Sequence, residues 1–185
     1  MHRIQLIRTT LIAGIASFAF LSLLFATENS KVSLIKGTWE DVQQIVKDNP
    51  GKIVVVDAWS TSCIPCMKEF PNLVKLQSSH EQEVVCVSFS CDYQGIKSKP
   101  PEFYEERVLK FLTKQKAEFT NILSTTEADV AYEEMGINSI PAVFVYGPDG
   151  KLAKKFDSES GEGGEEEPFT YKDVTALVEK LIPSK

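Results

Sequence analysis

The sequence is poor in the residues that build metal sites, disulfide scaffolds and nucleic-acid-binding surfaces. It has 2 histidines and 4 cysteines in 185 residues, and 20 basic residues against 26 acidic ones, for a net charge of −6. Only His80 lies outside the N-terminal segment, which leaves too few ligands for a four-coordinate zinc site. Four cysteines are too sparse for a disulfide-built scaffold, so the core must come from packing. The negative balance argues against nucleic-acid binding, which needs clustered Lys and Arg.

Much of the negative charge lies in one segment near the C-terminus. Six acids and no base occupy residues 157–167: Asp157, Glu159, Glu162, Glu165, Glu166 and Glu167. Such a run repels itself, and its spacing lacks the pattern of oxygen ligands found in an EF-hand calcium loop. We therefore expect an acidic, flexible loop at 157–167.

The first 30 residues have the pattern of an export segment. Arg3 and Arg8 precede an uncharged stretch that contains an apolar block of 15 residues, 11–25. That length is the upper limit for a signal-peptide core and short of the roughly 20 residues that span a bilayer. Cleavage after Ala26 would put the large Leu24 at position −3, so a retained anchor stays open as an alternative. A buried internal helix is less favoured, because both basic residues lie on one flank. Residues 1–30 are thus predicted to be a signal peptide or N-terminal membrane anchor, and 31–185 an extracytoplasmic (periplasmic) domain.

The rest of the chain alternates between strand and helix patterns, and turn residues separate them. Thr38 with Asp41, and Thr170 with Asp173, have the spacing of helix capping boxes. Residues 147–150, Gly-Pro-Asp-Gly, predict a hairpin turn. The predicted strands are 53–59, 83–89, 119–123, 142–146 and 151–156; helices are predicted after Thr38, from 66 to about 80, from Pro101, over 126–135 and after Thr170. This order indicates an α/β fold: a mixed sheet with helices on both faces and a helical insertion after the second core strand.

Two cysteines stand where the first buried strand meets its helix, in the sequence Cys63-Ile64-Pro65-Cys66. A helix N-terminus favours a thiolate, so the pKa of the Cys63 thiol should fall and make it the attacking group. Cys66, one turn further along, is placed to close the ring. Half of a zinc site and a purely structural disulfide are the alternatives. Asp57 lies inside the otherwise apolar strand, where desolvation should raise its pKa.

The residues around this pair resemble the thioredoxin superfamily. Residues 56–66, Val-Asp-Ala-Trp-Ser-Thr-Ser-Cys-Ile-Pro-Cys, are similar to its active-site segment, and 136–145 to its cis-proline segment and following strand. Residues 66–71, Cys-Met-Lys-Glu-Phe-Pro, with a proline inside the helix, resemble more narrowly the TlpA/ResA type of extracytoplasmic thiol–disulfide oxidoreductases, which act in cytochrome c maturation. The resemblance extends over about 32–182 and implies a thioredoxin-like fold.

The resemblance also implies roles for individual residues. Pro141 is expected to be cis and to face Cys63, while the backbone of Ile140 binds an extended substrate strand. Asp57 is expected to take the proton of Cys66 as general base, unless it is merely a hydrated acid at a strand end. Ile64 and Pro65 complete the predicted substrate-binding set. Ser62 and Ile64 depart from the tryptophan and glycine usual in thioredoxin, which alters the docking surface.

The sequence therefore predicts an enzyme, a thiol–disulfide oxidoreductase that exchanges disulfides with exported proteins and most simply reduces them. The alternatives are a disulfide-donating oxidase with the same residues and a non-enzymatic metal-binding or scaffold domain. We expect no cofactor beyond the redox-active Cys63–Cys66 disulfide, and no bound metal. The expected partners are exported thiol proteins and an electron donor, with membrane contact only through the N-terminal segment and a monomeric domain.

The other two cysteines have no predicted part in this pair. Cys86 alternates with Val84 in a strand and is expected to be a small buried hydrophobe. Cys91 follows the end of that strand, at the sheet edge that carries Cys63, and is a candidate third reactive thiol.

Overall fold

The structure, a computed structural model, describes residues 32–157 and 169–183. The predicted export segment and the acidic residues after Asp157 lie outside the described residues. Asp157 itself is buried and pairs with Lys155 at 2.8 Å, so the first acid of the predicted loop belongs to the folded part. Among residues 32–157 and 169–183, no helix has both the length and the apolar character to cross a membrane.

Six strands and five helices alternate along the described chain. Their bounds are β1 Ile35–Gly37, α1 Trp39–Asp48, β2 Ile53–Trp59, α2 Ile64–Ser79, β3 Val84–Ser90, α3 Glu102–Gln115, β4 Thr120–Ser124, α4 Ala128–Met135, β5 Ala142–Tyr146, β6 Leu152–Phe156 and α5 Tyr171–Leu181. The strands form one mixed sheet in the order β1-β4-β3-β2-β5-β6. The pairs β1–β4, β4–β3 and β3–β2 are parallel, whereas β5 is antiparallel to both β2 and β6. The predicted mixed sheet and hairpin are confirmed.

The strand that leads into the cysteine pair lies at the centre of this sheet. All seven residues of β2 are buried, because β3 and β5 flank it and helices cover both of its faces. Alternation along the strand sends Val55 and Trp59 into one core and Val54, Val56 and Ala58 into the other. Since Asp57 lies between Val55 and Trp59 at the same period, its side chain belongs to the first of these faces.

Helices cover the two faces unequally. On the face of Val55 and Trp59, the core includes buried residues of α2, α3 and α5: Phe70, Leu73, Val108, Leu112, Val174 and Val178. On the other face it includes residues of α1 and α4: Val42, Val46, Ala131 and Met135. The prediction of helices on both faces is confirmed, and the inserted helix α3 lies on the same side as α2.

Two helix starts agree with the sequence-based predictions, and two other elements differ from them. Both capping boxes form, with the Thr38 backbone N–H donating to Asp41 Oδ2 at 2.7 Å and the Thr170 N–H to Asp173 Oδ2 at 2.9 Å. Helix α2 begins at Ile64, two residues before the predicted start, because Cys63 is its N-cap. Strand β1 was not predicted: it has only three residues, and two of them are exposed.

Candidate active site

The disulfide between Cys63 and Cys66 stands at the junction of β2 and α2, with 5.3 Å between the two Cα atoms. Cys63 is the helix N-cap, and its Sγ accepts a hydrogen bond from the backbone N–H of Cys66 at 3.2 Å. Cys63 is half-buried, whereas Cys66 is buried beneath the first turn of the helix. An incoming group can therefore reach Cys63 and not Cys66. This asymmetry suits an exchangeable bond better than a purely structural one.

The cis-proline segment lies opposite the first cysteine. The Ile140–Pro141 peptide bond is cis, and the carbonyl oxygen of Ile140 lies 3.9 Å from Cys63 Sγ. Both residues are half-buried, so part of their surface remains accessible beside the disulfide. The predicted cis bond and its position facing Cys63 are confirmed.

The two residues between the cysteines point outward. Ile64 has 75% of its surface exposed, the highest value among the large apolar side chains described, and Pro65 is also exposed. Ile64 and Pro65, which follow Cys63 in the chain, and Ile140 and Pro141, at the segment facing it, are all uncharged residues.

Asp57 is deeply buried on the α2 side of the sheet, with only 3% of its surface exposed. Its Oδ2 accepts a hydrogen bond from the Tyr171 hydroxyl at 2.5 Å, while Oδ1 has no hydrogen-bond partner among the described residues. Burial raises the pKa of Asp57 from its ordinary 3.8 to about 7, against the opposing effect of the tyrosine hydrogen bond. The alternative of a hydrated acid at a strand end is therefore wrong. The carboxyl group is poised to exchange a proton near neutral pH.

Asp92 is a second buried carboxylate at this end of the sheet, and sequence reasoning missed it. It follows β3 and has no exposed surface. Its Oδ2 accepts hydrogen bonds from the Thr61 backbone N–H at 3.0 Å and the Ser90 hydroxyl at 2.7 Å. Its Oδ1 accepts from the Thr61 hydroxyl and pairs with Arg107 Nη2 of α3 at 2.5 Å. Asp92 thereby ties the inserted helix to the loop that presents Cys63.

The loop before Cys63 is held by further short-range hydrogen bonds. The Ser62 N–H donates to Ser60 Oγ at 3.1 Å, and the Cys63 N–H donates to the Ser60 carbonyl at 3.1 Å. Beneath the loop, Trp59 is fully buried, and its ring centroid lies 4.8 Å from those of both Phe70 and Phe111. Trp59 packs under the active-site helix, as predicted, and anchors α2 against α3.

Cys86 and Cys91 are free and buried on opposite faces of the sheet. Burial raises the pKa of both thiols far above the ordinary value, with the charge of Asp57 adding to the effect at Cys86 and those of Asp92 and Asp57 at Cys91. Cys86 is the buried hydrophobe that was predicted. Cys91 does not meet the conditions for a third reactive thiol, which needs exposure and a lowered pKa. Within residues 32–157 and 169–183, no group of three or more His, Cys, Asp or Glu side chains could hold a metal ion.

Comparison with known proteins agrees with this geometry. The family model described as "Thioredoxin-like" matches residues 51–152, which contain the Cys63–Cys66 pair and the cis-proline segment. The chain belongs to the thioredoxin-like family. It has the fold of a thiol–disulfide oxidoreductase of that family, with the disulfide at the expected place. No curated protein matches the chain.

Solved structures show the same fold. A thiol:disulfide interchange protein of the thioredoxin family from Chlorobium tepidum is 20% identical, with a TM-score of 0.56 over 74% of this chain and 84% of its own. A thiol:disulfide interchange protein from Bacteroides sp. is 25% identical, with a TM-score of 0.53 over 75% of this chain and 78% of its own. A secreted disulfide oxidoreductase from Mycobacterium tuberculosis, described as homologous to E. coli DsbE, is 18% identical, with a TM-score of 0.54 over 73% and 86%.

Proposed function

We propose that this protein is an extracytoplasmic reductase of protein disulfides that works through Cys63 and Cys66. The observation that carries the proposal is the asymmetry of the pair. A half-buried Cys63 at a helix N-terminus faces a cis-proline segment, and a buried Cys66 lies behind it. This arrangement separates an attacking sulfur from a resolving one.

In the first step, the reduced protein attacks the substrate. The Cys63 thiolate forms a bond to one sulfur of the substrate disulfide, the substrate S–S bond breaks, and the other substrate sulfur leaves as a thiolate that takes a proton from water. The Cys66 N–H and the dipole of α2 stabilise the Cys63 thiolate before attack. The product is a mixed disulfide between Cys63 and the substrate.

In the second step, the mixed disulfide is resolved inside the protein. Asp57 Oδ1 takes the proton of the Cys66 thiol, and the Cys66 sulfur attacks Cys63 Sγ. The Cys63–Cys66 bond forms and the bond to the substrate breaks, releasing a second substrate thiolate. In the complete cycle, two electrons pass from the protein dithiol to the substrate disulfide. A dithiol electron donor must then reduce the Cys63–Cys66 bond again.

Substrate docking in this proposal uses backbone and apolar contacts. An extended segment of the substrate pairs with the backbone of Ile140 beside Pro141, while the exposed Ile64 and Pro65 contact its side chains. Backbone pairing carries little sequence information, so it suits a broad range of exported proteins. The resemblance to the TlpA/ResA type adds apocytochrome c, whose haem-binding cysteines must be reduced, as a candidate substrate.

The direction of electron flow is proposed from the surroundings of Cys63. Strong oxidants of this class hold their reduced form in a stabilised state. Here the two residues between the cysteines are apolar, and no histidine or charged side chain stands between the sulfurs. Without a cation between the cysteines, the Cys63 thiolate is stabilised less than in a strong oxidant, and this favours the disulfide and hence a reducing couple.

Location outside the cytoplasm rests on the N-terminal sequence. The basic start and the apolar block of 11–25 have the pattern of an export segment, and one protein of the same fold is described as secreted. Export would place the domain where substrate disulfides persist.

The experiment that tests the function is insulin reduction in the presence of a dithiol, with the couple's reduction potential measured in parallel. We expect wild type to accelerate insulin precipitation, Cys63→Ser to lose all of the acceleration, and Cys86→Ala to retain it, since Cys86 is sealed in the core. A potential near the −270 mV of thioredoxin is expected. A value near −120 mV would instead identify a disulfide donor. Equal activity of wild type and Cys63→Ser would refute the enzyme assignment.

A further inference from the structure

Asp57 is a buried carboxylate that has no cation among its described neighbours. Four described groups interact with Asp57 through charge or a hydrogen bond: Tyr171 of α5, Glu69 of α2, Cys86 of β3 and Cys91 just after β3. None of them is a cation. Residues of β5 on its other flank, with Val143 directly opposite, are apolar or aromatic. A single hydroxyl therefore provides the one hydrogen bond that this carboxyl group receives from the described residues.

The position of that hydroxyl is fixed by the start of the last helix. Tyr171 is the first residue of α5, directly after the N-cap Thr170, whose capping box with Asp173 sets the backbone there. The tyrosine side chain is buried among residues of β2 and α2 and reaches 114 residues back along the sequence. Its hydroxyl donates to Oδ2, while Oδ1 stays without a partner among the described residues.

We propose that Tyr171 is a positioning residue for the resolving step: its hydroxyl holds Oδ2 of Asp57 and leaves Oδ1 to accept the proton of Cys66. The inference rests on the proposed role of Asp57 as general base. Tyr171 itself exchanges no proton with the substrate sulfurs. It acts through Asp57, by fixing the orientation and the charge state of the carboxyl group.

The electrostatics agree with this role. The hydrogen bond from Tyr171 lowers the pKa of Asp57, whereas burial and the charge of Glu69 raise it. Burial and Asp57 together raise the pKa of Tyr171 well above 10, so the phenol keeps its proton and remains the donor. The tyrosine hydrogen bond therefore keeps Asp57 in the ionised, proton-accepting form at a lower pH than burial alone would allow.

The two steps can be followed separately in the full-length reduced protein with 5,5′-dithiobis(2-nitrobenzoate) as substrate. Attack by Cys63 releases one yellow thiolate, and resolution by Cys66 releases a second one. For Tyr171→Phe we expect the rate of the first phase to be unchanged. The rate of the second phase, plotted against pH, should have its midpoint about one pH unit higher than in wild type, so that the rate is about tenfold lower at pH 6. A carbon-13 NMR titration of the Asp57 carboxyl should show its pKa moving in the same direction.

A nearly isosteric variant keeps the test decisive if the phenylalanine variant folds poorly. Incorporation of 3,5-difluorotyrosine at position 171 makes the phenol more acidic and its hydrogen bond stronger, so the midpoint of the second phase should move downward. Tyr146→Phe is the matched control. It removes another tyrosine hydroxyl, one that accepts a hydrogen bond from Gln43 at 2.8 Å on a strand beside β2, and it should leave both phases unchanged.

The possible failures are distinguishable. If Asp57→Asn slows the second phase but neither change at position 171 moves its midpoint, the role of Tyr171 is refuted while Asp57 remains the base. If Asp57→Asn leaves the second phase unaltered, the base assignment and this inference both fall. Insulin reduction that requires Cys63 would still support the oxidoreductase function in either case.

Discussion

Asp57 and Asp92 are the same chemical group, buried at the same end of one sheet, with opposite surroundings. Asp92 accepts three hydrogen bonds and pairs with Arg107, so both of its oxygens are occupied. Asp57 has one hydrogen bond, no counter-cation among its described neighbours, and one oxygen without a partner in the described structure.

The difference shows how partners decide what a buried carboxylate does. A carboxylate with all its acceptor sites filled and a guanidinium beside it is held in one place and fixes its neighbours. One that is poorly compensated binds its proton more tightly, because burial disfavours the charged form. Asp92 is suited to hold the loop of Thr61 in place, and Asp57 is suited to the proton exchange with Cys66 that the proposed mechanism gives it.

The largest expected effect is the pH dependence that Asp57 gives to stability. Its pKa is about 7 in the folded protein against an ordinary 3.8, so the folded state binds the proton more tightly between these values. The stabilisation is fully present below about pH 4 and is lost as the pH rises through 7, a change on the order of 4 kcal/mol. Asp57→Asn removes this dependence. Denaturant unfolding of both oxidised proteins should therefore show that the free energy of unfolding of the variant rises relative to that of wild type between pH 4 and pH 8.

Taking the difference between the two proteins cancels the titration of all other groups. A constant difference across that pH range would show that Asp57 titrates normally and would remove the contrast with Asp92.

The next largest effect is expected at Asp92. Asp92→Ala leaves the Ser90 hydroxyl, the Thr61 donors and Arg107 without their acceptor, and should lower the free energy of unfolding by about 3 kcal/mol. For a chain of this size that is a fall in melting temperature of roughly 6 to 12 °C. Calorimetry of the oxidised protein measures it. A loss below that of an ordinary surface substitution would mean that the Asp92 network does not hold the loop.

A smaller effect is expected when only the cation is removed. Arg107→Gln deprives Asp92 of its partner, but the arginine side chain is 46% exposed, so water can replace part of the lost interaction. We expect a loss of about 2 kcal/mol, below the cost of breaking a fully buried pair. Lys36→Gln is the control, because Lys36 pairs with Glu102 and Glu105 of the same helix at the surface and should show no measurable change. If both variants lost the same free energy of unfolding, the Arg107–Asp92 pair would contribute no more than an ion pair at the surface.

Local patterns predicted most of the fold. The two capping boxes, the hairpin turn and the apolar run of β2 each depend on neighbours within a few residues, so the sequence displays them directly. β1 was not predicted because a three-residue strand has no measurable period. The cysteine pair was predicted from its spacing at a helix start, whereas the cis-proline that faces it was predicted from a family resemblance. Residue patterns alone would not have brought the two together.

The partners of the two buried carboxylates could not be predicted in the same way. Tyr171 is 114 residues from Asp57 in the sequence. No local pattern distinguishes it from an ordinary apolar residue at the start of a helix. Asp92 and Arg107 are 15 residues apart, across a loop whose path no local signal defines. The burial of Asp57 was predicted from its strand, but its single donor depends on how α5 packs against α2, which is a property of the whole fold.

The two outer strands of the sheet bear on how this protein avoids pairing with unfolded chains. Unfolded chains that expose strand-forming segments can add to any open sheet edge and seed aggregates. Here one outer strand, β1, has only three residues, and the other, β6, carries Lys154 and Lys155 on its largely exposed length. Neither border offers a long, flat, uncharged template. In the proposed function, extended substrate segments would therefore pair at the short segment beside Pro141 and not at either border of the sheet.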